Sequence, residues 1–197
     1  QEELLSHLSV LKDSELIYER GIYPKSTYIF KHALTQEVVY DSILLKRKKK
    51  LHEDIADTIE NVFGDDLDEQ YAVLAEHYII AENYLKGAEY SRLADKKAEK
   101  AASFPDAIAY AKKSIHCLEK LPQSQDVLKK LIDARTVLGL YMFQLFYMAE
   151  AKEIIDPIFD LTIKNGTRKR VAQIYFIKGT YECWVNENIF DANKYLL

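Results

Sequence analysis

Two cysteines, one tryptophan, four prolines and six glycines are all that 197 residues contain, and each scarcity narrows what the chain can be. Cys117 and Cys183 make no CxxC or other metal spacing, which argues against a zinc module and suits two buried thiols in a reducing cytosol, with a single bridge between them left open. The glycines, at 21, 64, 87, 139, 166 and 179, never fall close enough to build a Gly-rich phosphate cradle, so no P-loop is present. No apolar run approaches the roughly 20 residues of a membrane helix, and no basic-then-apolar leader opens the chain. The expectation is a soluble, cytoplasmic protein with no membrane association. Because it begins at Gln1 rather than Met, the chain is expected to be a segment cut from something longer.

Catalytic signatures are equally sparse. There is no GxSxG, no Cys-His constellation and no convincing carboxylate pair. His52-Glu53 starts like the HExxH of zinc proteases, but position 56 is alanine, so the second ligand is missing. His7, His77 and His116 stand apart at no metal spacing and are assigned structural roles. No metal and no cofactor are expected in this segment, which reads as a non-enzyme. A net charge of −4 and a pI near 5.8 also count against a general nucleic-acid binder, which needs clustered Lys and Arg.

What is present is helical periodicity. Leu4, Leu5, Leu8 and Leu11 form one stripe of a first helix. ELIYE and STYIF, on either side of Gly21 and Pro24, are short β-prone runs around a turn and predict a hairpin. From Ala33 the period is again helical through Val39, Ile43, Leu51, Ile55, Ile59 and Val62, apart from the Ile43–Leu44 step, until Gly64 and two aspartates stop it. Residues 1–63 thus predict a small winged-helix-like module with a short β-hairpin. Beyond Gly64, six amphipathic segments predict helices over 67–81, 85–103, 105–121, 126–147, 149–164 and 169–185. Ser103 is placed as an N-cap with Pro105 in the first turn, LPQSQD at 121–126 as a break, Asn165-Gly166-Thr167 as a stop, and Pro157 as a kink or division. The aromatic-rich LYMFQLFYM, 140–148, is assigned to the core, with some members free to line a groove.

Within those helices small residues recur. Ala94, Gly139 and Gly179 sit in first helices; Ala107, Ala151 and Ala192 follow in second helices after 13, 12 and 13 residues. Small side chains at such points permit close helix crossing. The unit-to-unit steps, 45 and 40 residues from the positions 94, 139 and 179, exceed the 34 of the tetratricopeptide unit. The predicted architecture is therefore all-α: a tetratricopeptide-like helical-hairpin solenoid over 64–197, preceded by the winged-helix module, with an array expected to continue past Leu197.

Three stretches carry a resemblance: FKHALTQEVVYDSIL, RKKKLHEDIADTIE and LAEHYIIAENYLKGAEYSRLADKKAEKAASFPDAIAYAKKSI. Over about residues 15–121 the chain resembles the region after the ATPase core in bacterial STAND-type signalling ATPases, which are often coupled to class III adenylate or guanylate cyclase domains; residues 122–197 match only as generic repeats. The resemblance implies a regulatory scaffold that binds protein or peptide on its repeats, an intramolecular ATPase core as partner, and ATP or ADP held by the intact protein. It also implies that His32, at a strand-to-helix junction similar to the Met-His-Asp motif of related switch ATPases, senses the bound diphosphate, although Ala33-Leu34 stands where an acidic residue is usual. The alternative is a nucleic-acid-binding regulator that uses the basic run Lys46, Arg47, Lys48, Lys49 and Lys50 beside the winged helix. A solvated helix face is the plainer account of that run.

Overall fold

A computed structural model describes residues 2–21, 26–64 and 66–196. The described residues are mostly helical, with one small two-stranded antiparallel sheet. The chain divides into two compact units, 1–48 and 49–197.

In the first unit, α1 (Glu2–Asp13) leads to β1 (Ile17–Arg20) and β2 (Thr27–Phe30), paired in the register Ile17↔Phe30 to Arg20↔Thr27. The hairpin lies where the sequence places it; Pro24, expected in its turn, is outside the described residues. The unit is anchored sparingly. Ile17 is its one fully buried hydrophobic residue among those described, and Lys12–Glu19 and Lys31–Glu15 ion pairs tie α1 and β2 to the segment around β1. Next comes α2 (Ala33–Ser42). The helix expected to run on to Val62 stops at the irregular step: Ile43 is extended at ψ 127° and the Ser42 hydroxyl donates to Val39 O at 2.7 Å. α3 (Leu45–Phe63) then begins afresh.

Most of α3 belongs to the second unit. Its Ala56 and Ile59 pack with Leu74, Tyr78 and Tyr90, which explains why the chain divides inside this helix rather than at Gly64. Asp65, one of the expected helix stops, is outside the described residues. After a short 3₁₀ turn at Asp68–Gln70 come α4 (Tyr71–Ile80), α5 (Tyr84–Lys100), α6 (Phe104–Lys120), α7 (Gln125–Gln144) and α8 (Met148–Ile155). Pro157 divides the next segment as its missing N–H requires: a 3₁₀ turn at Asp156–Ile158 separates α8 from α9 (Phe159–Asn165). α10 (Arg168–Trp184) and α11 (Ile189–Leu196) complete the chain. Packing is between neighbours: α4 on α5, α5 on α6, α6 on α7, α7 on α8, and α10 on α7, α8 and α11. A continuous core runs from Ala88 through Ile115, Leu118, Ile132 and Leu138 to Ile155, Ile174 and Ile177.

The turns between paired helices share one device. Glu82, Ala102 and Phe146 have φ of 60°, 56° and 63°. In each turn the next residue donates back five positions, as in Asn83 N to Tyr78 O at 2.9 Å, Ser103 N to Ala98 O at 2.9 Å and Tyr147 N to Met142 O at 2.9 Å. This satisfies carbonyls at the helix end in the Schellman manner. The expected caps are more varied than the sequence reading. Ser124 and Thr167 accept from the backbone N–H groups of Val127 and Arg170, whereas the Ser103 hydroxyl donates instead to Asp106 Oδ2 at 2.6 Å. Gly166 stops α9 in an extended conformation, φ −79°, and is glycine for closeness: a Cβ would lie 2.5 Å from Thr162 O.

Candidate functional site

Leu85, Ala88, Glu89, Arg92, Asp95, Lys96 and Glu99 of α5 recur at helical spacing, so one face of that helix borders a single space. α6 contributes Ala111, Ser114 and Leu118, α7 contributes Lys130, Asp133, Ala134, Val137 and Tyr141, and α10 contributes Arg170. The cavity they enclose measures about 400 Å³. Ala88, Ala111 and Leu118 are buried and form its base, while Glu89, Arg92, Lys96, Glu99 and Lys130 are exposed at its rim. Its walls are fixed by hydrogen bonds. Ser114 Oγ donates to Ala88 O at 3.1 Å, joining α6 to α5, and Arg170 Nε meets Asp133 Oδ1 at 2.6 Å, joining α10 to α7.

Two polar side chains at the base are exceptions to the rule that buried polar groups are paired. Asp95 is 6% exposed and Tyr141 2%, and neither Asp95 Oδ1 nor the Tyr141 hydroxyl has a hydrogen-bond partner among the described residues. Burial pushes the Asp95 carboxyl up to about 6; the neighbouring Tyr141 hydroxyl, short of hydrogen-bond geometry, works the other way, as do Lys96 and Arg92, while Glu99 adds to the rise. Burial likewise raises Tyr141, with Asp95 reinforcing it. Sequence reading passed over Asp95 and held Tyr141 only as one of the aromatic residues of LYMFQLFYM, assigned to the core or a groove. The signal was there in α5: Ala88, Ser91, Asp95 and Ala98 form a stripe of small, buried positions at spacings of three and four, and an aspartate on such a stripe is anomalous.

A second polar cluster ties α3 to α4 and α5. Tyr78, fully buried, donates from its hydroxyl to Asp57 Oδ1 at 2.8 Å, and Lys86 Nζ reaches Tyr78 Oη and Glu60 Oε2 at 2.7 Å each. The Tyr90 hydroxyl donates to Glu60, and its ring stacks on Tyr78 at 5.7 Å. The Tyr78 hydrogen bond holds Asp57 below its usual range; burial pushes Glu60 up, but hydrogen bonds from Lys86, Tyr90 and Tyr78 outweigh it. Every member is partnered, which marks the cluster as a structural fastening.

The residues singled out in the sequence fall as follows. His32 occupies the N-cap position of α2 with φ −129° and ψ 128°; its side chain is exposed and makes no capping bond, while its carbonyl accepts from Thr35 N and Gln36 N at 3.1 and 3.2 Å. Ala94, Ala107, Gly139, Ala151, Gly179 and Ala192 are all buried. A Cβ on Gly139 would stand 2.9 Å from Ile155 Cγ2 and 3.5 Å from Ala151 O, and one on Gly179 2.6 Å from Leu196 Cγ. In the basic run, Lys48 meets Asp41 at 3.1 Å and lies 4.1 Å from the Tyr40 ring centroid, Lys49 meets Glu82 at 2.6 Å, and Lys50 meets Asp54 at 3.0 Å. Lys46 and Arg47 are exposed.

His52 and His77, assigned separate places by sequence, come together with Nδ1 to Nδ1 at 2.8 Å; no group of three metal-ligating side chains exists among the described residues. His7 and His116 are exposed. Both cysteines are free thiols; Cys117 is buried, and burial pushes it up to about 11, but Cys183 is only partly covered, contrary to expectation. LYMFQLFYM splits likewise. Tyr141 and Met142 are core, whereas Phe146 is 82% exposed because α7 ends at Gln144 and the turn carries it outward. No helix among the described residues is long and apolar enough to cross a membrane. No protein-family description, curated protein sequence or solved structure matches the chain.

Proposed function

We propose that the chain is a non-catalytic, ligand-binding segment of a signalling ATPase, in which α5–α6, α7–α8 and α10–α11 act as tetratricopeptide-like helical hairpins whose shared groove receives a protein or peptide. The observation that carries this reading is the cavity of about 400 Å³ spanning α5, α6, α7 and α10, with an apolar base and a rim of exposed charges of both signs. Such a surface buries an extended peptide's side chains while pairing its backbone and charges at the edge. The resemblance of residues 15–121 supplies the rest: in the intact protein, ligand occupancy biases how a winged-helix module carrying His32 engages an ATPase core that holds ATP or ADP. The rival reading, nucleic-acid binding through Lys46–Lys50, has less to draw on, since carboxylates of the chain already engage Lys48, Lys49 and Lys50.

The test is selection of a peptide display library on the chain. Enriched peptides are expected to bind with micromolar Kd and to lose about tenfold or more in affinity when Ala134→Trp fills the groove. Peptides indifferent to Ala134→Trp, or duplex DNA bound with a steep salt dependence that disappears on neutralising Lys46 and Arg47, would overturn the reading.

A further inference from the structure

We infer that the base of this groove is a recognition pocket for an alkylammonium group, the side chain of a lysine on a peptide that crosses α5 and α7. The inference rests on the groove being the ligand surface and adds the chemistry of what enters it. Asp95 Oδ1 and the Tyr141 hydroxyl are buried and without a partner at the same place in the cavity wall. A desolvated carboxylate is costly to keep unless something supplies the missing hydrogen bonds. An ammonium does so best: it brings a compact positive charge and three donors, enough to meet both oxygens. The walls match its stem. Ala88, Ala111, Leu118 and Val137 line the cavity with apolar surface, against which four methylenes pack while the charge reaches the base.

Charge on the lining selects the same ligand. The lining holds four acids and four bases; Asp133 is engaged by Arg170 and Lys130 by Asp126, which is not itself a lining residue, at 2.9 Å, so the groups left without these partners are Glu89, Asp95 and Glu99 against Arg92 and Lys96, three acids to two bases. The two cations are exposed at the rim, where they suit acidic residues flanking the lysine rather than the group at the base.

The probe is N-acetyl-L-lysine methylamide, titrated into the ¹⁵N-labelled chain. The expected result is saturable shifts confined to amides of residues 88–99 and 134–141, no such shifts with the Nε-acetylated probe, and affinity weakened by about tenfold or more in Asp95→Asn. Tyr141→Phe should weaken it several-fold, a second variant that keeps the ring. The titratable and charged groups that line the cavity with Asp95 are Glu89, Arg92, Lys96 and Glu99 of α5, Lys130, Asp133 and Tyr141 of α7 and Arg170 of α10, with only Ser114 polar on α6. None is a histidine, and weaker binding at pH 5 than at pH 7.5, with that difference lost in Asp95→Asn, reports the Asp95 carboxyl rather than the other carboxylates of the lining. Equal shifts from the acetylated probe, unchanged affinity in Asp95→Asn, or no saturable shift would overturn the inference. Display-selected peptides that bind the groove and are blocked by Ala134→Trp, yet show no preference for lysine, would overturn it while leaving the groove's function intact.

Discussion

Asp95 is a residue whose presence lowers the stability of the fold it sits in. Its folded carboxyl titrates at about 6 against a reference of 3.8, so the native state holds the proton more tightly than the unfolded chain, and stability declines as pH rises through that window. Asp95→Asn, which mimics the protonated acid, is expected to raise unfolding free energy at pH 8 by about 1–3 kcal/mol and to leave it nearly unchanged at pH 3. Urea denaturation at the two pH values checks this; equal effects at both would show that the carboxylate is solvated after all. His77 acts with the opposite sign. Burial and then the charge of His52 hold it below 6.5, against the pull of Glu76, and its Nδ1 lies 2.8 Å from that of His52. The stability that His77 contributes is complete above pH 6.5 and falls as pH drops through its folded value. His77→Gln, which does not titrate, is expected to flatten the denaturation midpoint between pH 7.5 and 5 relative to the unsubstituted chain.

At the scale of elements, the turns and the crossings divide the labour. Close approach at Gly139 leaves little room for a larger residue: its added Cβ would press on Ile155 and Ile177 at 2.9 and 3.2 Å. Gly139→Ala is expected to destabilise by about 1–3 kcal/mol through overpacking, despite alanine's better helix propensity. A thermal melt with an unchanged or raised Tm would show that α7, α8 and α10 yield easily there. The turns were not legible. Left-handed C′ positions are ordinarily announced by Gly or Asn, yet Glu82, Ala102 and Phe146 fill them here. Phe146, 82% exposed at φ 63°, has little packing to lose, so Phe146→Gly is expected to stabilise by about 0.5–1 kcal/mol in the same melts. The break between α2 and α3 was half-visible: the period faltered at Ile43–Leu44, but only the extended Ile43 backbone shows that it ends a helix.

For the whole molecule, sequence alone reached a mostly helical chain with a leading β-hairpin, because each is written in local periodicity. It did not reach the groove, because which residues of α5, α6, α7 and α10 converge depends on how the helices cross, and no single helix carries that information. Nor did it pair His52 with His77, or Tyr78 with Asp57 and Lys86, since these partners are 25, 21 and 8 residues apart and meet only through packing. The proposed function places its ligand between α5 and α7. Hydrogen–deuterium exchange of the chain with and without a display-selected peptide tests it most directly. Slowed exchange concentrated in residues 85–99 and 130–141 is the expected result; protection confined to Leu45–Phe63, or none anywhere, would contradict it.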